Sequence, residues 1–150
     1  MNARTYPLGS VSMARLIVSY GNEHNVFMNI TKTQKLLYIA YGIYLARTGK
    51  RLCEEHPQCW PYGPVFPTTR NRLLKEKLDK IHDALLDGEI KDLIIEVFDR
   101  FGAQTATWLS EWSHQPNSPW DKTRLRTGFM WGMQINDDDI REYFSLMLAE

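Results

Sequence analysis

Four of the seven prolines in this 150-residue chain fall between Pro57 and Pro67, interleaved with Trp60, Tyr62 and Phe66. Each proline fixes its own φ, removes a backbone donor and pushes the preceding residue toward extended geometry. The run Cys59-Trp60-Pro61-Tyr62-Gly63-Pro64-Val65-Phe66-Pro67 is therefore a stiff, non-helical strap. Gly63 before Pro64 supplies its one permissive backbone position, a turn signal. Large aromatic faces on a stiff frame either seal a core or receive a partner. Trp60, just before Pro61, is expected to turn inward and pin the strap to the central helix. Tyr62 and Phe66 flank the turn, so at least one of them is expected to project as a binding anchor. Trp60, Tyr62, Gly63, Pro64, Val65 and Phe66 together form the candidate partner surface; the alternative is that all three aromatics are core.

Around the strap the chain reads as helix. Met13, Leu16, Ile17 and Tyr20 recur at helical spacing after Ser10 or Ser12, which predicts a first helix ending at Gly21. Thr31 and Gln34 have the form of a capping box opening a helix that runs to Thr48 and stops at Gly49. From Leu36 to Ala46 this helix is apolar on every face, so it is the buried centre. Thr68 or Thr69 is expected to cap a further helix, with Leu74, Leu78, Ile81 and Leu85 inward and Arg70, Arg72, Lys75, Lys77 and Lys80 outward, ended by Asp87-Gly88. Ile90 to Phe101 gives another, closed by Gly102; Thr105, Ser118-Pro119 and Asn136 open three more. The expected fold is mainly α, one domain over residues 1–150, with six or seven helices around a central one at 31–48 and a short extended or hairpin segment near 51–66.

A composition of 43% hydrophobic and 24% charged residues is that of a folded chain. No apolar run is long enough to cross a bilayer as a helix, and the amino terminus lacks a charged-then-apolar signal pattern, so a cytoplasmic location is expected. Net charge is zero but unevenly spread: residues 1–75 carry ten Lys or Arg against three Asp or Glu, and the rest eight against fifteen. Either the two halves neutralise each other within the fold, or a polarised surface steers a charged partner. The lack of net basic charge disfavours nonspecific nucleic-acid binding.

Cys53, His56 and Cys59 are spaced three apart, but a structural zinc site needs four ligands and no second pair closes a tetrahedron. No metal and no cofactor are expected. Cys59 with His114 could be imagined as a nucleophile and base, yet no nucleophile elbow, phosphate loop or oxyanion-hole sequence supports catalysis. His114 reads instead as a residue that fixes a turn. Lys35 lies near the start of an apolar helix; it is either exposed in the first turn or paired with an acid from the second half. The basic run from Arg70 to Lys80 is a solvated face or, less expected, a nucleic-acid contact without base-reading residues at suitable spacing.

The order of motifs carries a resemblance. Lys35-Leu36 with Tyr38, then Gly49-Lys50, then Trp60-x-Tyr62-Gly63-Pro64-Val65, then His114 and Pro119-Trp120 resemble the Panacea domain, the SocA-like antitoxin or phage-associated GepA-like family, across residues 10–148. Thr33 replaces a usual Leu and Cys59 a usual Ala. The resemblance implies structural roles for Lys35, Leu36, Tyr38, Gly49, His114, Pro119 and Trp120. It also implies a non-enzymatic protein that neutralises a toxin encoded beside it in a bacterial or phage operon by direct contact. Whether the toxin is occluded or delivered to a protease stays open. A DNA-binding regulator of the same operon is the alternative, and a hydrolase the third reading.

Overall fold

The computed structural model describes residues 6–150, in the order α1 (Ser10–Glu23), α2 (Ile30–Thr48), β1 (Gln58–Trp60), β2 (Gly63–Val65), α3 (Pro67–Leu73), a 3-10 turn (Leu78–Lys80), α4 (Glu89–Phe101), α5 (Ala106–Ser113), α6 (Pro119–Arg126), β3 (Met133–Gln134) and α7 (Asp137–Ala149). Helix α2 is the centre, because every residue from Lys32 to Ile43 is buried and no stripe is left for water. Helices α1, α4, α5 and α7 pack around it. At Gly42 a Cβ would overlap the Phe144 ring, which lets α7 come close to α2. Tyr38 meets the same ring edge-on at 5.5 Å.

Several caps stand where the sequence puts them. Thr105, Ser118 and Asn136 each accept a backbone N–H from the first turn of their helix, and Gly49 ends α2 in the left-handed region at φ 71°. Others do not. Asn29, rather than Thr31, caps α2 by accepting from Lys32 N at 2.8 Å, and Gln34 is buried and directed elsewhere. No serine or threonine side chain caps α1 or α3. Glu54 accepts from Ser10 N at 2.8 Å, and Glu55 accepts from Thr68 N at 2.5 Å and Thr69 N at 3.1 Å. Two adjacent carboxylates from the segment before the strap thus serve two helix amino ends at once. Helix α1 also runs past Gly21 to Glu23.

The largest departure is the helix expected from Thr68 to Leu86. It stops at Leu73, and Leu74 is exposed. Side chains of α1 take the backbone groups that a continuing helix would use: Asn22 Nδ2 donates to Leu78 O at 2.8 Å and Ile81 O at 3.0 Å, and Ser19 Oγ accepts from Asp83 N at 2.8 Å. Arg15 pairs with Glu76 and Asp83 beside them. The basic residues from Arg70 to Lys80 consequently do not share one helical face.

The charge asymmetry resolves partly inside the fold. Arg15, Arg47 and Arg51 of the positive half reach Glu76 and Asp83, Glu96, and Asp137 of the negative half. One strand is additional to the expected hairpin: β3 pairs antiparallel with β1 on the side away from β2, giving the order β2-β1-β3. Among the described residues no helix is long and apolar enough to cross a membrane.

Candidate functional site

The strap is a hairpin. Gln58, Cys59 and Trp60 lie opposite Val65, Pro64 and Gly63, with Pro61 and Tyr62 at the tip. Alternation places Cys59 inward on β1 between half-buried Gln58 and Trp60, whereas every residue of β2 is buried. Cys59, Pro64, Val65 and Phe66 are buried, and Phe66 meets the Tyr41 ring edge-on at 5.7 Å. Tyr62 is 67% exposed, so it is the strap aromatic that projects. Trp60 is half-buried, and its ring does not reach the core. Its Nε1 donates to Gln58 Oε1 at 3.0 Å on the outer face, and Arg70 lies over the ring at 5.6 Å. The expectation of an inward Trp60 fails because position 59, not 60, faces the core in this register. At this position the strap is held through the Trp60 carbonyl, which accepts from Trp120 Nε1 at 2.7 Å.

The underside of the hairpin is polar. Lys35 is 1% exposed, and its ammonium donates to Pro64 O at 3.2 Å. It makes no ion pair among the described residues, so it is neither the exposed lysine nor the acid-paired one that the sequence suggests. Burial pulls its pKa down to about 8. Gln34 Oε1, one residue earlier, accepts from Phe66 N at 2.6 Å. Successive residues of α2 thereby hold the middle of β2 and the residue just after it. Gly63 makes the approach possible: its φ is 117°, and a Cβ there would stand 2.5 Å from Ser113 Oγ and 2.8 Å from Lys35 Cε.

His114 completes the arrangement. It ends α5 and stacks on Trp120 with ring centroids 3.8 Å apart. Its Nε2 is buried and has no hydrogen-bond partner among the described residues. Burial, with the charges of Lys35 and Arg124, holds its pKa below the usual histidine value. Pro119 starts α6 after the Ser118 cap and so sets the Trp120 indole under the strap. Lys35, Gly63-Pro64, His114 and Trp120, far apart in sequence, therefore meet at one place. Leu36 and Tyr38 lie in the core beside it. Gly49 does not belong to the cluster; it closes α2 fourteen residues beyond Lys35, roughly 20 Å along the axis at 1.5 Å per residue.

Cys53, His56 and Cys59 do not converge. Cys53 Sγ is directed at Glu55 O, Cys59 Sγ at Trp120 O, and His56 Nε2 lies 3.1 Å from Asp137 Oδ2. Burial pushes the two thiols up to about 12 and about 11, far from a reactive thiolate.

Sequence reasoning missed a second surface element. The loop from Gly128 to Gly132 exposes Phe129, Met130 and Trp131, followed by exposed Met133 on β3. It is bound to the strap: Gly132 N donates to Cys59 O at 2.8 Å, and Trp131 stacks on Trp120 at 6.0 Å. The available signal was an apolar run bracketed by glycines with neither helical nor strand period.

A family model described as antitoxin SocA-like, Panacea domain matches residues 33–121, which span α2, the strap, His114 and Trp120. The chain is also similar to the antitoxin SocA of Caulobacter vibrioides (strain NA1000 / CB15N), 26% identical over 151 residues that cover 89% of this chain and 80% of that protein. No solved structure matches.

Proposed function

Since this chain belongs to the antitoxin SocA-like, Panacea domain family, we propose that it neutralises a protein toxin encoded beside it by direct protein contact, and that the strap is part of the contact surface. One observation carries the reading. Lys35, His114 and Trp120 of the family motifs converge beneath a hairpin that Lys35, Gln34 and Trp120 hold by hydrogen bonds, while the hairpin presents Tyr62 and the outer face of Trp60 to the exterior. Rigid, pre-set aromatics lose little entropy on binding, which is what an anchor needs. Gly63, Pro64, Val65 and Phe66 support the surface from inside and set its shape. The protein acts on this reading as a binding module of the cytoplasm and not as an enzyme.

Co-expression with the product of the adjacent open reading frame tests it. The chain should relieve the toxicity of that product and co-purify with it. A neighbour that is harmless alone, or toxic but never retained on the tagged chain, removes the reading. Gel shift with the operon's upstream DNA separates it from the regulator alternative, since a direct neutraliser protects cells when the promoter is replaced by an unrelated one.

A further inference from the structure

The loop after α6 extends the strap into a wider surface. Trp120 joins the two: its Nε1 holds the Trp60 carbonyl, and its ring stacks on Trp131. Gln58 Oε1, the acceptor of Trp60 Nε1, lies 3.8 Å from where a Cβ on Gly132 would stand, so the loop runs beside the outer face of the strap. Phe129, Met130, Trp131 and Met133 are 54%, 59%, 47% and 41% exposed. Adjacent exposed aromatic and methionine side chains of this kind mark a surface that is covered in use.

The backbone at Phe129 points the same way. Its φ is 68°, directly after Gly128 at 69°, so a bulky aromatic occupies a left-handed position that Asn or Gly would fill at less cost. Its N–H closes the α6 carboxyl end on Arg124 O at 2.7 Å, which any residue could do. The aromatic ring is therefore not required by the turn.

The charges around these side chains specify what covers them. Arg124 lies between the faces of Trp120 and Phe129, at 5.4 and 4.9 Å. Arg70 lies over Trp60 and makes no ion pair among the described residues. Arg126 is half in solvent beside the loop, paired with Asp139. Arg124 Nε already donates to Asp121 Oδ1 at 2.8 Å, so Arg70 is the guanidinium of this patch whose N–H edges are left for a planar acceptor. We infer that the strap and the 129–133 loop form one docking surface, whose occupant is a toxin segment with aliphatic or aromatic side chains at its centre and Asp or Glu at its margin. This rests on the neutralisation reading above and names the chemistry of that partner.

The test uses the full chain and the product of the adjacent open reading frame in titrations at low and high salt. Trp131→Ser, Met130→Ser and Phe129→Asn remove apolar surface, the last with a residue that accepts the left-handed backbone; Arg70→Glu reverses the free cation. Each should weaken binding by about 30-fold or more while the melting temperature holds. Wild-type affinity should fall as salt rises, and less steeply in Arg70→Glu. If Trp131→Ser does not fold, the exposed Met130→Ser and the backbone-matched Phe129→Asn decide alone. Folded loop variants that bind like wild type overturn the docking surface and leave neutralisation standing. A salt-independent wild type overturns the acidic partner, and a wild type that binds nothing removes both readings together.

Discussion

Lys35 Nζ donates to the carbonyl oxygen of Pro64 at 3.2 Å, so a buried cation of the central helix carries the strap on a neutral acceptor. This has a pH signature. Burial lowers the Lys35 pKa from 10.5 to about 8. Below pH 8 both folded and unfolded chains hold the proton. Between about 8 and 10.5 only the unfolded chain does, so this group makes stability rise with pH across that window. The full increment is about 3 kcal/mol for a shift of this size. Cys53 and Cys59 act in the opposite sense above pH 9, because the folded chain keeps thiol protons that the unfolded chain releases. The wild type therefore has to be compared with Lys35→Met, which removes only the lysine. Urea midpoints should diverge in favour of the wild type as pH rises from about 7 to about 10. A wild-type-minus-variant difference flat in pH would show that the lysine is not buried as described.

Gly63→Ala meets both obstacles at once, an unfavourable φ and atoms of Ser113 and Lys35 where the methyl would stand. A loss of about 2–4 kcal/mol is expected, summing backbone strain and overpacking. Thermal melts check it. A variant within about 0.5 kcal/mol of wild type would mean that the hairpin can lift off α2 freely.

The strap aromatics should separate into scaffold and surface. Phe66→Ala, which empties a fully buried site against Tyr41, should cost about 3–5 kcal/mol. Tyr62→Ala should leave the melting temperature within the range of ordinary surface changes and weaken binding of the adjacent-gene product by about tenfold or more. Trp60→Ala falls between, about 1–2 kcal/mol, because its carbonyl keeps the bond from Trp120 and only the outer-face contacts of its ring with Gln58 and Arg70 are lost. Uniform destabilisation by all three would return the hairpin to a purely structural role.

Asn22→Ala strips two carbonyls, of Leu78 and Ile81, of their donor. The expected cost is about 1–3 kcal/mol, with hydrogen exchange accelerated between Leu78 and Asp83 ahead of the rest of the chain. Unchanged exchange there would mean that the segment is held by its apolar contacts alone.

Much of the helical frame was legible because its determinants are local. A run apolar on every face has to be buried, so α2 was readable as the centre, and the Thr105, Ser118 and Asn136 caps act within one turn of their own positions. Prolines act on their own and the preceding residue, so the strap was legible as extended. The direction of Trp60 was not, because the hairpin register places Cys59 on the inner face.

What the amino-acid sequence determined by itself was thus the set of elements whose forces span three or four residues, together with the motif order that identifies the family. Tertiary structure decided the rest, where a distant side chain outcompetes a local preference. Asn22 and Ser19 took the backbone groups of residues 78–83 and broke a helix that periodicity favoured. Glu54 and Glu55 took the caps expected of nearby serines and threonines. Lys35 found a carbonyl rather than an acid, because the Gly63 turn brought Pro64 O over it. In each case a polar group bonds whatever the packing brings within hydrogen-bond reach, and that partner has no fixed spacing along the chain.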